Sequence, residues 1–276
     1  MSSCFGKKPV NQITLGLELR TMISNAAPAT RKLQRWLKPL EQTPLHPQWL
    51  VLRHRTETKS WVKRHAHGIV VDIGCGNGRL REQLGDTVRY IGIDYPTTIA
   101  LGYSGTADIH ANATELPIAT ASIDTVILLD VLEHLDAPDR AIAEASRVLR
   151  SGGKLLIHVP CLYPLHDEPH DYQRWTRHGL KCLLQQHGLD IEEIRESTTP
   201  LETAAALFSI ALSKAILDAI RYPGPTLLLI PPILFLIPII NITGWILSSL
   251  MPSSPFMPFS YRVSTIRKIA TEGTIS

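Results

Sequence analysis

The stretch IVVDIGCGNG, residues 69–78, decides the fold of this chain. Its apolar start is typical of a buried strand, and it runs directly into three glycines: Gly74, Gly76 and Gly78. Glycine is needed where a strand ends in a sharp turn and a ligand approaches the bare backbone. Asp72 precedes the glycines, and the next predicted strand, VRYIGID, ends in Asp94. An acid at that place suits ribose hydroxyls, so the pattern predicts a nucleoside cofactor at the carboxyl edge of a parallel sheet.

The details favour S-adenosylmethionine (SAM) over a dinucleotide. A dinucleotide fingerprint requires its third glycine at position 79, where this chain has Arg79. The negative charge of Asp72 suits a cationic ligand with an amino group better than a pyrophosphate. A nicotinamide-dependent oxidoreductase is therefore disfavoured, while glycines that serve only packing stay open as the alternative.

Five stretches of this chain resemble the class I SAM-dependent methyltransferases, in particular the methyltransferase type 11 family. In chain order they are VDIGCGNG (71–78), YIGID (90–94), ANATELP (111–117), SIDTVILLDVLEHL (122–135) and RVLRSGGKLLIHVP (147–160). The resemblance covers about residues 66–197.

The resemblance implies S-adenosyl-L-methionine as the cofactor and assigns the residues that hold it. Asp72 lies near its amino group, Asp94 holds the ribose, and Asn112 meets the adenine edge with the backbone of Ala113. The full predicted set is Asp72, Gly74, Cys75, Gly76, Asp94, Tyr95, Asn112, Ala113, Leu129 and Asp130. The family commonly has Asp where this chain has Asn112, whose amide oxygen can still accept a hydrogen bond from adenine.

Apolar, β-rich runs alternate with helical patterns along the same part of the chain. The strands are predicted at 69–73, 88–93, 123–129 and 153–159, and the helices at 78–85, 96–102 and 137–149. This alternation predicts an α/β, Rossmann-like, doubly wound and mostly parallel sheet. The resemblance implies seven strands with an antiparallel last strand, for which LDIEEIRES (189–197) and residues 259–268 are the candidates.

We divide the chain into four segments by composition. They are a basic helical N-terminal region (1–66), a SAM-binding methyltransferase core (67–200), an apolar membrane-associating insertion (201–257), and a returning last strand with a tail (258–276). Residues 1–67 hold 12 Lys and Arg against 3 Asp and Glu. This basic region suits anionic lipid headgroups or forms a solvated cap, and no motif for reading nucleic acid accompanies it.

The four cysteines give no sign of a zinc site or a disulfide framework. Cys4, Cys75, Cys161 and Cys182 show no C-x-x-C spacing. The chain also starts without the basic stretch and apolar core of a signal peptide, so a reduced, cytoplasmic setting is expected.

Residues 222–261, which begin inside the insertion and extend to Tyr261, include no Asp, Glu, Lys or Arg. Residues 226–250 are long enough to span a hydrocarbon core of about 30 Å as a helix. Three prolines, Pro231, Pro232 and Pro238, favour a bent or broken segment there. Residues 201–220 predict an apolar helix in which Lys214 and Asp218 pair at i and i+4. A hydrophobic core or an oligomer interface is the alternative.

If residues 259–268 form the last strand, both ends of the insertion return to one sheet and lie on one side of a bilayer. Arg221 before it and Arg262, Arg267 and Lys268 after it fit a shared cytoplasmic side. We therefore expect a re-entrant or hairpin anchor at the cytoplasmic face of a membrane. The chain is cytoplasmic instead if the insertion is an oligomer interface, and the oligomeric state stays open.

Three histidines are the candidate catalytic residues. His134 follows the fourth predicted strand, and His166 and His170 lie in a polar loop within residues 158–176. This loop also holds Asp171, Tyr172 and Arg174, and it resembles bacterial type 11 proteins linked to glycan or lipid modification. We expect it to form part of the acceptor pocket or a lid, with a loop whose histidines face solvent as the alternative. No metal is expected, because His166 and His170 lack a helical context.

These features predict a SAM-dependent methyltransferase that methylates an oxygen of a lipid or of a lipid-linked, glycan or quinone-like, acceptor. Two alternatives stay open. One is a soluble small-molecule methyltransferase with a hydrophobic oligomerisation segment, and the other is a SAM-binding scaffold without catalysis.

Overall fold

The structure, a computed structural model, describes residues 38–96 and 107–268. Its strands are β1 (Ile69–Ile73), β2 (Arg89–Asp94), β3 (Ile109–His110), β4 (Ile123–Leu129), β5 (Leu149–Pro160), β6 (Leu189–Glu196) and β7 (Ser260–Arg267). Its α-helices are α1 (Trp49–Leu52), α2 (Arg55–His65), α3 (Arg79–Leu84), α4 (Pro138–Val148), α5 (Arg177–Gln186), α6 (Pro200–Arg221) and α7 (Ile230–Leu250). Short 3₁₀ helices lie between them, among them Leu132–His134 and Pro225–Leu229.

The seven strands form one sheet in the order β3-β2-β1-β4-β5-β7-β6. The first five are parallel, and β7 runs antiparallel to both β5 and β6. The predicted fold class is therefore confirmed, including the antiparallel last strand. Because β1 lies between β2 and β4, the glycine-rich turn after it opens at the middle of the carboxyl edge.

Local sequence explains most element boundaries. The Thr176 hydroxyl accepts a hydrogen bond from the Gly179 N–H and caps α5, as the sequence predicts. Strand β5 begins at Leu149, earlier than expected, because residues 151–153 form an irregular extension across which the register with β4 shifts. The helix predicted at 96–102 lies outside the described residues, as does most of the basic region, residues 1–37.

Helices α6 and α7 form an antiparallel hairpin between β6 and β7. Ser209 on α6 lies against Asn241 on α7, and a Cβ on Gly244 would lie 2.4 Å from the Ala205 Cβ. In the part of the chain that the structure describes, these are the two helices long and apolar enough to span a membrane. Only 28% of the apolar stretch in the first and 17% of that in the second is buried.

The prolines do not break the second helix, so of the two predicted forms, bent or broken, the broken one is wrong. Pro231 and Pro232 lie in its first turn. Backbone N–H groups make no intrahelical hydrogen bond there, so the N–H that proline lacks is not needed. Pro238 lies inside α7, which continues to Leu250. On α6, Lys214 and Asp218 form the predicted ion pair.

The cations expected to mark one side of a bilayer have other roles. Arg221 ends α6 and so lies at the tip of the hairpin, away from the sheet. Arg262 is buried in β7 and pairs with Glu57 at 3.3 Å, and Arg267 donates to the backbone carbonyls of Arg147 and Leu149. Contacts within the folded core account for Arg262 and Arg267, and the predicted side of the bilayer stays a prediction.

The base of the hairpin is fixed to the core by the segment before β1. Leu50 on α1 packs with Ala206 on α6 and with Phe259, and all three are buried. Arg53 lies over the ring of Trp245 and pairs with Glu202 at 3.3 Å. The hairpin is therefore attached rigidly to the methyltransferase sheet.

Asn241 is the central polar contact of this attachment. It is fully buried, its carbonyl oxygen accepts from the Ser209 hydroxyl, and its amide donates to the carbonyls of Pro44 and His46. Each of these partners loses its hydrogen bond if the amide is removed.

We predict that Asn241→Leu weakens the attachment of α7 by about 1–3 kcal/mol, because it leaves buried polar groups unpaired. Limited proteolysis of the purified chain should then cut within residues 222–258 faster than in the parent. Ser249→Ala, on the exposed face of α7, is the control and should leave the rate unchanged. Equal rates for Asn241→Leu and the parent would contradict the prediction.

Candidate functional site

The glycine-rich turn after β1 is shaped by backbone geometry that excludes side chains. Gly74, Gly76 and Gly78 all have positive φ, at 75°, 53° and 64°. A Cβ on Gly74 would lie 2.4 Å from a methyl group of Val131. The N–H groups of Gly74 and Cys75 both donate to the carbonyl of Ile93, which fastens the turn to β2. The turn is therefore a fixed, open cradle of bare backbone.

Asp94, at the end of β2, is oriented before any ligand binds. One carboxylate oxygen accepts from the Gly76 N–H at 3.0 Å, and the other accepts from the Tyr95 N–H at 2.8 Å. Each oxygen keeps a second lone pair for a hydroxyl donor. This geometry fits the predicted contact with a ribose.

Asp72 is buried, and it accepts a hydrogen bond from the Tyr90 hydroxyl. Burial raises the pKa of Asp72 to about 7, although the hydrogen bond from Tyr90 acts to lower it. The negative charge of Asp94 adds to the rise. Two acids this close favour a cationic ligand, because its charge compensates both. Burial also raises the pKa of the neighbouring Cys75 thiol to about 12, so Cys75 is a packing residue and no thiolate nucleophile.

The predicted adenine edge is partly described. The Asn112 carbonyl oxygen accepts from the Thr114 N–H at 3.0 Å, and Ala113 is buried in the main core. The Asn112 oxygen has one further lone pair, and its amide NH₂ can donate. The side chain can therefore pair with both the donor and the acceptor groups of an adenine edge. Residues 97–106, which follow β2, lie outside the described part of the chain.

Asp130 follows β4 at the same edge and has positive φ, 54°. Its carboxylate lies 2.6 Å from Nδ1 of His158 on β5, and its side chain is 59% exposed. Nε2 of His158 lies 2.9 Å from the Ser260 hydroxyl on β7. Asp130 is thus an exposed carboxylate oriented by a histidine, a role that the sequence did not predict for it.

Glu133 is buried one turn further along, with its side chain 1% exposed. Neither carboxylate oxygen has a hydrogen-bond partner among the described residues. Burial, reinforced by the negative charge of Asp130, raises the pKa of Glu133 to about 8. A buried carboxyl without a partner is costly, so it marks a functional position.

His134 and His166 both present Nε2 to Glu133. The distances from the two Nε2 atoms to Oε1 of Glu133 are 3.8 and 3.9 Å. The imidazole rings contact each other edge to face, with centroids 4.8 Å apart. The structure therefore brings together two of the three predicted catalytic histidines, and it adds an acid between them.

His170 does not join them with its side chain. Its Nδ1 lies 3.2 Å from the Tyr172 hydroxyl, while its backbone carbonyl lies 2.8 Å from Nδ1 of His134. The side-chain role predicted for His170 is untested, and the observed contact with this cluster is made by its backbone.

The other polar residues of the loop hold His166 in place. Arg174 donates to both oxygens of Asp171 and to the carbonyls of Tyr163 and Pro164. Asp171 in turn accepts from the His166 N–H at 2.9 Å. These contacts explain why the loop is rich in polar residues.

We predict opposite effects of Asp72→Asn on stability and on cofactor binding. The folded-state pKa of Asp72 lies above its ordinary value, so its contribution to stability is lost as pH rises from about 4 through 7. At pH 8 the ligand-free variant should be more stable than the parent by about 1–4 kcal/mol, a difference that disappears near pH 4. Its SAM affinity should fall about tenfold or more, since a charge–charge contact is lost.

Thermal unfolding and calorimetry test both effects, with exposed Asp86→Asn as the control. A variant less stable than the parent at pH 8 would contradict the assignment.

We predict that Asp94→Ala weakens SAM binding by about 10–100-fold, because charge-assisted hydrogen bonds are worth about 1.5–3 kcal/mol. Asp94→Asn should give an intermediate loss, since one oxygen still accepts. Calorimetric titration with SAM measures both, and Asp86→Ala is the control. Unchanged affinity in Asp94→Ala would show that the ribose site lies elsewhere.

Comparison with known proteins agrees with this geometry. Residues 71–157 match the methyltransferase domain family of type 11. A Mycolicibacterium smegmatis protein named "Probable S-adenosylmethionine-dependent methyltransferase" is 35% identical over 113 residues, which are 39% of this chain and 44% of that protein. The ubiquinone biosynthesis O-methyltransferase of Burkholderia pseudomallei is 28% identical over 49% of this chain and 72% of its own length.

Among solved structures, a SAM-dependent methyltransferase from Archaeoglobus fulgidus aligns with 77% of this chain and 94% of its own, at 16% identity and a TM-score of 0.48. The chain spans about half or less of the length of the first curated relatives it matches, 44% and 41%. Taken with the sheet, the glycine turn and the two acids, the match identifies residues 71–157 as a class I SAM-dependent methyltransferase domain, for which SAM is the cofactor.

Proposed function

We propose that the chain transfers the methyl group of SAM to an oxygen of a lipid or lipid-linked acceptor at a membrane. The observation that carries this proposal is the exposed apolar hairpin, which is attached rigidly beside the candidate acceptor site. Exposed apolar faces of this size mark interaction surfaces, and two helices of this length and composition suit a bilayer.

The hairpin base and the acceptor loop share one cluster of side chains. Phe259 packs with Ala206 on α6 and lies edge to face with Tyr163, with ring centroids 5.0 Å apart. Tyr163 in turn lies 4.8 Å from the His166 ring. An acceptor with one end in a bilayer around the hairpin would therefore need to reach only a short distance to the histidines.

Bound SAM supplies an electrophilic methyl group, so the protein needs mainly to position the acceptor and to receive its proton. Asp130 is the candidate base, because its exposed carboxylate is oriented by His158. Oxygen as the methylated atom is supported by relatives named as O-methyltransferases, including one from Aspergillus sclerotiorum at 27% identity over 55% of this chain.

Methyl transfer is tested by incubating the purified chain with radiolabelled SAM and membranes. We expect label in the organic extract, stable to mild alkali as a methyl ether is. Label in an aqueous small molecule would favour the soluble enzyme, and binding of SAM without any labelled product would favour the scaffold. Either outcome would overturn the proposed acceptor class.

We predict that the double variant Leu228→Glu, Phe235→Glu moves the chain from the membrane to the soluble fraction. Both side chains are exposed on the hairpin, at 81% and 72%, and a buried charge is costly in a bilayer. Cell fractionation measures the change. The matched control, Leu228→Ala with Phe235→Leu, keeps the surface apolar and should stay with the membrane. A soluble parent chain of defined oligomeric state would contradict the anchor.

Labelling of a single cysteine placed at Gly224, in the exposed link between the two helices, tests how the hairpin lies. A hairpin that crosses the bilayer exposes this position on the side opposite to the sheet, and a re-entrant or interfacial hairpin exposes it on the same side. Labelling at Ser254, close to the sheet, gives the reference side.

A further inference from the structure

Three ligand atoms converge at the carboxyl edge of the sheet, next to the cofactor cradle. They are a carboxylate oxygen of Glu133 and a ring nitrogen each of His134 and His166, all within 4.8 Å of one another. Glu133 is the decisive member, because its buried carboxylate has no hydrogen-bond partner among the described residues and faces the two imidazoles. A buried anion in that state lacks a compensating positive charge.

The contacts on the far side of each ring determine which nitrogen carries a lone pair. Nδ1 of His134 lies 2.8 Å from the carbonyl oxygen of His170, and a carbonyl can only accept. Nδ1 of His166 lies 3.3 Å from the carbonyl of Pro164 and 3.3 Å from the Asp171 carboxylate. Nδ1 of His134 is therefore a donor, and two acceptors at 3.3 Å assign the same role to Nδ1 of His166 over the more distant Arg174 guanidinium at 3.5 Å. Both Nε2 atoms then present lone pairs toward Glu133.

We propose that Glu133, His134 and His166 bind a divalent transition-metal ion such as Zn²⁺. Two imidazoles and one carboxylate form a ligand set that suits zinc and its neighbours and disfavours Mg²⁺, which prefers oxygen. Histidine ligands in metal sites donate their second nitrogen to a carbonyl or carboxylate, as both do here. The inference departs from the sequence expectation of no metal, which considered His166 together with His170.

The separations suit an ion with little rearrangement. Oε1 of Glu133 lies 3.8 and 3.9 Å from the two Nε2 atoms, and the ligand atoms all lie within 4.8 Å of one another. A point equidistant from all three then lies about 2.5 Å from each, so shifts of a few tenths of an ångström reach the usual Zn–N length of about 2.0–2.1 Å. The Asp171–Arg174 pair holds His166, and the N–H of Tyr172 donates to the Glu133 carbonyl at 2.9 Å. The three ligands lie on parts of the chain that are already fixed.

Three protein ligands leave coordination positions open for an acceptor oxygen. A role of the metal ion in methyl transfer rests on the proposed function. A bound ion would supply a Lewis acid that lowers the pKa of an acceptor hydroxyl. In the transfer itself the acceptor O–H bond breaks and its proton passes to the Asp130 carboxylate, while the oxygen forms a bond to the methyl carbon of SAM. The bond from that carbon to sulfur breaks, its electron pair stays on sulfur, and S-adenosylhomocysteine leaves.

Metal binding is tested directly on the purified full chain, prepared without a histidine tag and dialysed against chelator. Titration with Co²⁺, followed by its visible absorption, and with Zn²⁺ in competition should each give one ion per chain. Mg²⁺ should not displace either ion. We expect Glu133→Gln and His166→Ala to weaken Zn²⁺ binding about 100-fold or more, and calorimetry with SAM should show nearly unchanged cofactor affinity, which verifies the fold.

His170→Ala is the matched control, since it removes a histidine from the same loop but keeps the carbonyl that contacts His134. It should retain the full metal content. The proposal is overturned if the parent binds no stoichiometric ion, if binding survives in both ligand variants, or if His170→Ala loses as much as His166→Ala. Methyl transfer at the full rate by a chain without metal would overturn only the role of this site in the reaction, whereas a metal-loaded chain without any methylated product would overturn only the proposed function.

Discussion

The two ladders of backbone hydrogen bonds that hold β7 between β5 and β6 are the constraint on which the rest of the structure depends. Among the described strands, β6 pairs with β7 alone, so the chain must come back to the sheet after it leaves at Glu196. Residues 197–259 therefore start and end at the same place. Two antiparallel helices of 22 and 21 residues satisfy that requirement, whereas a single long helix would not.

The same strand also connects the hairpin to the site. Ser260, the first residue of β7, places its hydroxyl against His158, which orients Asp130. Phe259, one residue earlier, packs both on α6 and on Tyr163, whose ring contacts His166. The base of the hairpin is thus connected to both sides of the candidate acceptor site through two neighbouring residues.

The fold and the cofactor cradle could be predicted because their signals are local. Apolar runs give the strands, and Gly74, Asp72 and Asp94 lie within the turns that they form. The effect of Pro231 could not be predicted, since it depends on where the helix begins. The role of Glu133 was not predicted, because an acid next to a histidine in the sequence is expected to be exposed to solvent. Its burial comes from a loop more than thirty residues later in the chain that folds over it.

The proximity of anchor and site has a consequence for acceptor choice in the proposed reaction. A soluble acceptor must be captured from dilute solution, while an acceptor held in the same bilayer meets the site at a high effective concentration. The pocket then needs few contacts beyond those that orient the hydroxyl. The observed site fits this expectation. Its polar groups are held by neighbouring residues, and they are Asp130, Glu133, His134 and His166. The surface between the site and the hairpin is formed by Tyr163 and Phe259. Selection of the acceptor would then depend on the membrane as much as on the pocket.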